Sequence, residues 1–528
     1  MTAVDHQLQP SLYAACQRWP DRRAVTADGT TLSYGELWTK VSSLARAYVD
    51  LGVRPGDRIV CQLRNCLEHV IAINAAWACG AIHVGTDNDL TGSELSWLVE
   101  RTEARALVFQ PPARSSDPLA PLRAVHELRP ETIVVIHDGP TDLGPALSLD
   151  AILAAGPDEP PFVPVSRAPE DTGLLLLTSG TTGRPKAVME TLPACWAKMQ
   201  FFADAFRPGP DDVHILFLPM GHVFGLRLSQ LALLTGGRLV PLERFTPDAA
   251  LRAIAEQHVT VLPGMPAHLT LLLAAFDPSR HDVSSLRWVL TAASKLPSEL
   301  AEQIYQTLHT EILYVYGCSE NFTIHTTDRG DILAGSVGAL VFAGPDGEPP
   351  DGTVRVVDPE DHSQLAPGEV GEIAFGARRP VHYWRAPDSA TDGWYYTGDL
   401  GRVDPDGRVY VLGRLKELVN RGGLKVSPSE IEAALGRHPL VGDAAIVGTE
   451  DPVLGEAICA CVVAGDTRRP TLSELRDFLS QSLARHKLPD EVAFVDAIPR
   501  TKIGKVDRPA LVAAVAAAGG ADERVRPR

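Results

Sequence analysis

Apolar positions along the first hundred residues alternate between two periods. Residues 32–52, LSYGELWTKVSSLARAYVDLG, carry them at helical spacing and stop at a glycine. DRIVCQL (57–63) reads as a short strand, HVIAINAAWACG (69–80) as a second helix ending in glycine, and ARALVF (104–109) as another strand. From about Arg114 to Glu170 the chain is rich in Pro, Asp and Gly and holds one apolar run, TIVVIHD, as expected of loops joining two subdomains. The alternation resumes from Thr172 to Val341, with HILFLP, VTVLPG, LRWVLTAAS and EILYVYG as buried strands, each followed by turn residues and a helix. Such alternation predicts α/β architecture. After about Gly344 the strands (GTVRVVD, GEIAFG, GRVDPDGRVYVLGR) become short and broken by Gly, Pro and Asp, which predicts a β-rich barrel or sheet. A last unit, from about Lys416 to Val515, mixes helices and strands as a small α+β domain.

A chain of 528 residues exceeds one core and predicts two or three domains. The net charge of −17, with only a short basic tail (Arg524, Arg526, Arg528), argues against a nucleic-acid partner. Any anionic ligand must be held locally by loop amides and a few placed cations. The eight cysteines form no zinc-type pairs, and Cys459-Ala-Cys461 reads as two same-face positions of a buried strand. MTAVDHQLQP lacks the features of a signal region, and no apolar run approaches the roughly 20 residues that span a bilayer. The expectation is a cytoplasmic protein with no membrane partner.

The stretch LLLLTSGTTGRPKAVME (174–190) carries the first chemistry: an apolar strand delivers a loop of hydroxyls and glycines with a lysine at its far end. Gly180 and Gly183 permit backbone conformations that turn N–H groups toward one point, Thr178, Ser179, Thr181 and Thr182 add donors, and Lys186 adds charge. A phosphate-rich polyanion fits such a loop, although the wording is not GxxxxGK[ST]. Glu320, just past EILYVYG, stands where a sheet's carboxyl edge carries ligands; beside a triphosphate it would hold magnesium. Asp399, in WYYTGDLG, suits two sugar hydroxyls, and Lys505 lies on a glycine-loosened segment. Singly, these three also read as a solvated charge, a turn former and an exposed lysine.

Five motifs in order (TSGTTGRPKAV, YGCSE, YYTGDLG, GRLKELVNRGGLKVSPSEIE and PRTKIGKVDR) resemble the adenylate-forming superfamily of acyl-CoA synthetases, aryl-acid ligases, peptide-synthetase adenylation domains and firefly luciferase. The resemblance covers almost the whole chain. It implies an N-terminal domain (1–414) of two α/β subdomains plus a distorted β-barrel, closed by a small mobile C-terminal domain (415–528). The reaction it implies makes an acyl-adenylate and pyrophosphate from an acid and ATP, with Mg2+, and then passes the acyl group to a thiol, coenzyme A or a phosphopantetheine arm.

On this resemblance, Thr178, Ser179, Gly180, Thr181, Thr182, Gly183 and Lys186 grip the β- and γ-phosphates. Ala292, Ala293 and Ser294 line the adenine pocket in place of the commoner glycine-rich wording. Tyr316, followed by Gly317, stacks on adenine, and Ser319 lies near the α-phosphate. Glu320 resembles the magnesium ligand, and Asp399 and Arg414 the ribose pair. Lys505 resembles the catalytic lysine that neutralises the approaching carboxylate and α-phosphate. Lys416 stands at the hinge whose rotation removes Lys505 after the first half-reaction, and Gly422 and Gly423 at the edge that admits the pantetheine arm.

The acid pocket is expected to begin at PMGHVFGL, where His222 resembles a gating position and, with Lys505, is a candidate catalytic residue; a core histidine is the plainer alternative. Val223 offers no partner for an α-ammonium, which argues against a free amino acid. Phe224, Met265, Cys318, Asn321, Phe322 and Thr323 complete the pocket set, and the polar ENFTIHTTDRGD favours an aromatic or small polar acid. No carrier segment follows Arg508, so a carrier is expected to act in trans. Coenzyme A is the first acceptor expected, a separate carrier protein the second, and a non-thiol nucleophile, as in nitrite activation for diazotisation of an aryl amine, the third. A non-catalytic binding relative is disfavoured because Lys505, Glu320 and Asp399 are all present.

Overall fold

The helix Tyr34–Asp50 begins at a reciprocal cap: Glu36 N–H donates to Ser33 Oγ (3.2 Å) and Ser33 N–H to Glu36 Oε2 (2.8 Å), so two orphan donors are satisfied at once. Its Leu37, Val41, Leu44, Ala45 and Tyr48 fall at helical spacing and are buried. The computed structural model describes residues 8–86, 90–112, 117–139, 146–155, 160–178, 186–318, 323–339, 354–376, 382–387, 393–422, 424–465, 468–501 and 505–524.

Two open sheets carry most of the chain. The first has seven strands in the order Leu147–Ser148, Ile133–Ile136, Ala106–Phe109, Arg58–Gln62, Ile82–Gly85, Thr172–Thr178 and Lys186–Thr191. All neighbours are parallel except the last pair, a hairpin. The second has eight, from Thr323–Thr326 and Glu311–Gly317 through Trp288–Thr291, Val261–Pro263, Val213–Leu216 and Arg238–Pro241 to Arg23–Ala27 and Thr30–Ser33. Its interior is parallel and both edge pairs are antiparallel. Strands buried on both faces explain the continuous runs such as LLLL and ILYVY. Parallel order also sends the loops that leave the strands' carboxyl ends to one edge, where ligands of α/β sheets bind.

A third sheet, of four antiparallel strands, joins Val354–Val357, Gly371–Gly376, Trp394–Val403 and Val409–Arg414, in the region expected to be β-rich. The C-terminal unit folds around a six-stranded sheet with a core on each face. Period two decides which residue goes where: Ile458, Ala460 and Val462 enter one core, and Cys459 and Cys461 enter the other, against Leu511 and Val515. The paired cysteines are thus core positions on one face, as their spacing predicts. The result is a large N-terminal body and a small C-terminal one. Among the described residues no helix is long and apolar enough to cross a membrane.

Candidate active site

The hairpin of the seven-stranded sheet ends in the register pair Thr178 and Lys186, which closes the hydroxyl- and glycine-rich loop at its base. Ser179, Gly180, Thr181, Thr182 and Gly183 themselves lie outside the described residues. Lys186 Nζ sits 4.9 Å from the centre of the Tyr383 ring. Behind the loop, Glu190 is fully enclosed and takes two cations. Lys198 Nζ lies 2.5 Å from Oε1, and Arg227 Nη2 donates to both carboxylate oxygens (2.8 and 3.0 Å). The trio ties the hairpin to helices Leu192–Phe206 and Val223–Leu234, the latter starting in the expected acid pocket.

Tyr316, near the end of its strand, donates its hydroxyl to Asp399 Oδ2 at 2.6 Å. Asp399 lies directly opposite Arg414 on the neighbouring strand, and Arg414 Nε meets Asp399 Oδ1 at 2.6 Å. Burial pushes the Asp399 carboxyl up, and Arg414, the Tyr316 hydroxyl and Lys505 pull it back. Each carboxylate oxygen has one donor in place and keeps acceptor capacity, so a pair of vicinal hydroxyls can be received there. Asp399 lies within the strand Trp394–Val403 and not in a turn, and the strand is braced at this point. Gly398 N–H donates to the buried Glu372 Oε1 (2.7 Å), and Asp399 N–H donates to Thr397 Oγ1 (2.9 Å). Gly398 itself has φ +70°, a conformation that favours glycine.

Ala292 and Ala293 follow the strand Trp288–Thr291, and Ala293 adopts φ +72°. A left-handed alanine is strained, and such strain gathers at functional sites. Ser294 is exposed. Gly317 and Cys318 continue from Tyr316 and are described. Ser319, Glu320, Asn321 and Phe322 lie outside the described residues, and Thr323 is placed by its backbone pairing with Gly317.

Lys505 comes from the C-terminal body and lies within electrostatic range of Asp399 and Arg414. Burial lowers its pKa first, the Arg414 and Lys416 charges lower it further, and Asp399 and Glu417 raise it. Its backbone is pinned in a turn by Thr501, whose N–H donates to the Lys505 carbonyl at 2.7 Å. Lys416 sits in the short turn Leu415–Glu417 between two anchored neighbours. Arg414 is paired to Asp399, while Glu417 accepts from Arg508 Nε (3.2 Å). Arg508 also donates to Glu432 Oε1 (2.7 Å) and the Ile446 carbonyl (2.8 Å), bracing this short turn against the C-terminal sheet. Gly422 has φ +59° and donates to the Leu454 carbonyl, and Gly423 lies outside the described residues.

His222 caps the helix Val223–Leu234, with Val223 and Phe224 half-buried in its first turn and Met265 buried at the start of a neighbouring helix. Sequence reasoning missed what holds this segment. The buried Asn65 donates to the Leu218 carbonyl (2.9 Å) and accepts from Met220 N–H (3.0 Å), spanning more than 150 residues of chain. Gly221 lies so close to strand end Thr86 that a Cβ would fall 2.0 Å from its carbonyl oxygen. No local pattern announces Asn65 or Glu372, because each acts on a segment far away in sequence.

Residues 12–379 match the AMP-binding enzyme family, and residues 430–505 match the AMP-binding enzyme C-terminal domain. The chain belongs to the AMP-binding enzyme family. It is 34% identical to triostin synthetase I of Streptomyces triostinicus over 95% of this chain and 93% of that one. It is 33% identical to 2-hydroxy-7-methoxy-5-methyl-1-naphthoate–CoA ligase of Streptomyces carzinostaticus (97% and 94% covered). It is also 32% identical to salicyl-AMP ligase / salicyl-S-ArCP synthetase of Mycobacterium tuberculosis (97% and 91% covered). Among solved structures, ATP-bound MatB of Rhodopseudomonas palustris matches with a TM-score of 0.81 at 27% identity, covering 96% of this chain and 99% of that one. The protein is an ATP-dependent, AMP-forming ligase of the adenylate-forming superfamily.

Proposed function

We propose that this ligase activates an aromatic or small polar carboxylic acid and transfers it to coenzyme A. One observation carries the catalytic part of the reading: Tyr316, Asp399 and Arg414 meet although they come from two sheets, and Lys505 of the C-terminal body lies near enough for its charge to act on Asp399. Asp399 receives the ribose hydroxyls with Arg414 beside it, and the Tyr316 ring covers adenine opposite the backbone of Ala292–Ser294. Thr178, the loop to Gly183, and Lys186 hold the β- and γ-phosphates, with Ser319 toward the α-phosphate. Glu320 supplies the donor for magnesium, whose charge offsets that of the triphosphate when bound.

In the first half-reaction a carboxylate oxygen of the acid attacks the α-phosphorus. The bond to the β-phosphate bridging oxygen breaks, and pyrophosphate leaves with that electron pair. Both reactants are anions, so the Lys505 ammonium placed between them lowers the barrier electrostatically. Rotation at Lys416 then withdraws Lys505 and brings Gly422 and Gly423 to the tunnel. The thiol attacks the acyl carbon, its proton goes to solvent, and AMP departs. His222 gates the pocket built from Val223, Phe224, Met265, Cys318, Asn321, Phe322 and Thr323.

The aromatic preference draws support from Val223, which offers an ammonium no partner, and from the naphthoate-CoA and salicyl-AMP ligases. Transfer to a separate carrier protein is the second reading, favoured by the salicyl-S-ArCP synthetase alone of the three relatives. Acid-dependent ATP–pyrophosphate exchange over benzoates, cinnamates, aliphatic acids, amino acids and nitrite tests the substrate class. Exchange driven by aromatic acids, followed by acyl-CoA formation, supports the proposal. Exchange driven only by amino acids or nitrite contradicts it, and acyl transfer only to a carrier selects the second reading.

A further inference from the structure

Cys66, Glu68 and His137 each offer one donor atom, and these three atoms lie within 4.8 Å of one another. They come from two turns of the seven-stranded sheet. Cys66 caps the helix Leu67–Ala78 after strand Arg58–Gln62, Glu68 lies in that helix's first turn, and His137 follows strand Ile133–Ile136. Both strands are parallel members of the sheet, so both turns emerge at its carboxyl edge. Among the described residues no other trio of His, Cys, Asp and Glu donors is gathered this way.

We propose that Cys66, Glu68 and His137 bind a thiophilic divalent metal ion of the zinc class. Zinc takes tetrahedral sets of thiolate, imidazole and carboxylate, with bonds of about 2.0–2.3 Å, which places a bound nitrogen and oxygen about 3.4 Å apart. His137 Nε2 and Glu68 Oε2 are 3.5 Å apart, near that separation before any ion is bound. The other imidazole nitrogen, Nδ1, lies 2.8 Å from Asp150 Oδ1, the carboxylate partner that fixes tautomer and orientation in zinc-binding histidines. Cys66 is 8% exposed, while the Glu68 and His137 side chains are 21% and 13% exposed, so the soft ligand is enclosed and the other two face an entry route.

Binding exchanges the Cys66 thiol proton for the metal and releases that proton to solvent. Without a cation, burial and the Glu68 charge push the thiol's pKa up, and the N–H groups of Glu68 and His69 pull it back. The ion would lock the turn that contains Asn65, and therefore the segment 216–220 on which His222 rests. Its effect on the acid pocket is one of support, with no part in the reaction steps.

The test uses the full chain stripped with a chelator and dialysed against zinc chloride or cobalt chloride. Elemental analysis is expected to give one zinc per chain, and cobalt is expected to give a thiolate-to-metal charge-transfer band in the near ultraviolet. Cys66→Ser and His137→Asn should lose both signals. Asp150→Asn, which keeps all three ligands, should weaken zinc binding roughly 10- to 100-fold. Zinc uptake unchanged in Cys66→Ser and His137→Asn would place the ion elsewhere and overturn the proposal. Should those variants fail to fold, the unmodified protein still decides: no thiolate–cobalt band means that the trio is held by hydrogen bonds and charge alone.

Discussion

Asp399 and Arg414 face each other across two antiparallel strands, and their side chains close a 2.6 Å ion pair at the point where Tyr316 also donates. The backbone register, and not the side chains alone, sets this meeting, so small changes to either partner leave the other in place. Asp399→Asn keeps the shape but removes the charge and halves the acceptor capacity. Loss of hydrogen bonds to a charged group costs about 1.5–3 kcal/mol each. The expected outcome is a KM for ATP raised roughly 10- to 100-fold, read by initial rates at saturating acid, with thermal stability held.

Ala293 is a left-handed alanine beside the proposed adenine pocket. Replacing it with glycine relieves strain of roughly 1–2 kcal/mol, less the added entropy of the unfolded chain. Ala293→Gly is therefore expected to raise the denaturant midpoint slightly and to leave ATP binding intact, since only backbone contacts are invoked there. A fall in the midpoint would show that the strain is absent.

Glu190 balances Lys198 and Arg227 in an enclosed setting. Removing one member of a buried ion cluster leaves uncompensated charge and costs about 3–5 kcal/mol. Glu190→Gln should lower the unfolding free energy by that much, whereas replacing all three by apolar residues of similar volume should cost less. Arg227 and Lys198 hold the Glu190 pKa below its ordinary value against burial. A depressed folded-state pKa means that this stabilisation is present above the unfolded value and is lost as pH falls through the folded one. The unfolding midpoint of the native protein should thus fall more steeply in acid than that of the apolar triple variant.

How much of this was legible in the chain depends on how local each feature is. The hairpin that brackets the hydroxyl- and glycine-rich loop and the C-terminal cysteine strand are written within a few residues, because turn chemistry and period two act at short range, whereas Asp399, expected in a tight turn, lies in a strand. The fold class followed from the same alternation. Glu190, Lys198 and Arg227 gave no signal, since their pairing requires two helices to pack on a hairpin. Asn65 and Glu372 were equally silent: each is an ordinary polar residue until a distant backbone segment arrives to use it. The strained φ of Ala293 was also hidden, although its departure from glycine-rich wording marked the place.

Lys505 has a depressed pKa because burial and the neighbouring Arg414 and Lys416 charges outweigh Asp399 and Glu417. In the proposed role the active form is the cation, so the alkaline limb of kcat/KM for ATP should fall below the ordinary lysine value. Glu417→Gln removes a charge that favours the cation and should move the limb further toward neutral pH; Lys505→Arg should remove the limb. For stability the slope has the same sign as for Glu190, because both folded-state pKa values are depressed; here it reflects a penalty on the buried cation. Below the folded pKa the buried cation is a full penalty, and stability recovers as pH rises between the folded and unfolded values. An alkaline limb unmoved by Glu417→Gln would contradict the placement.

The most direct test of the central claim compares the two half-reactions in Lys505→Ala. Adenylation, followed by acid-dependent pyrophosphate exchange, is expected to fall at least about 100- to 1,000-fold, the scale of a lost electrostatic contact to the transition state. Thiol transfer from a supplied acyl-adenylate should proceed near the unmodified rate, because the proposed rotation at Lys416 withdraws Lys505 before that step. Equal loss of both half-reactions, or survival of adenylation, would contradict the assignment of Lys505 and the two-state use of Lys416 built on it.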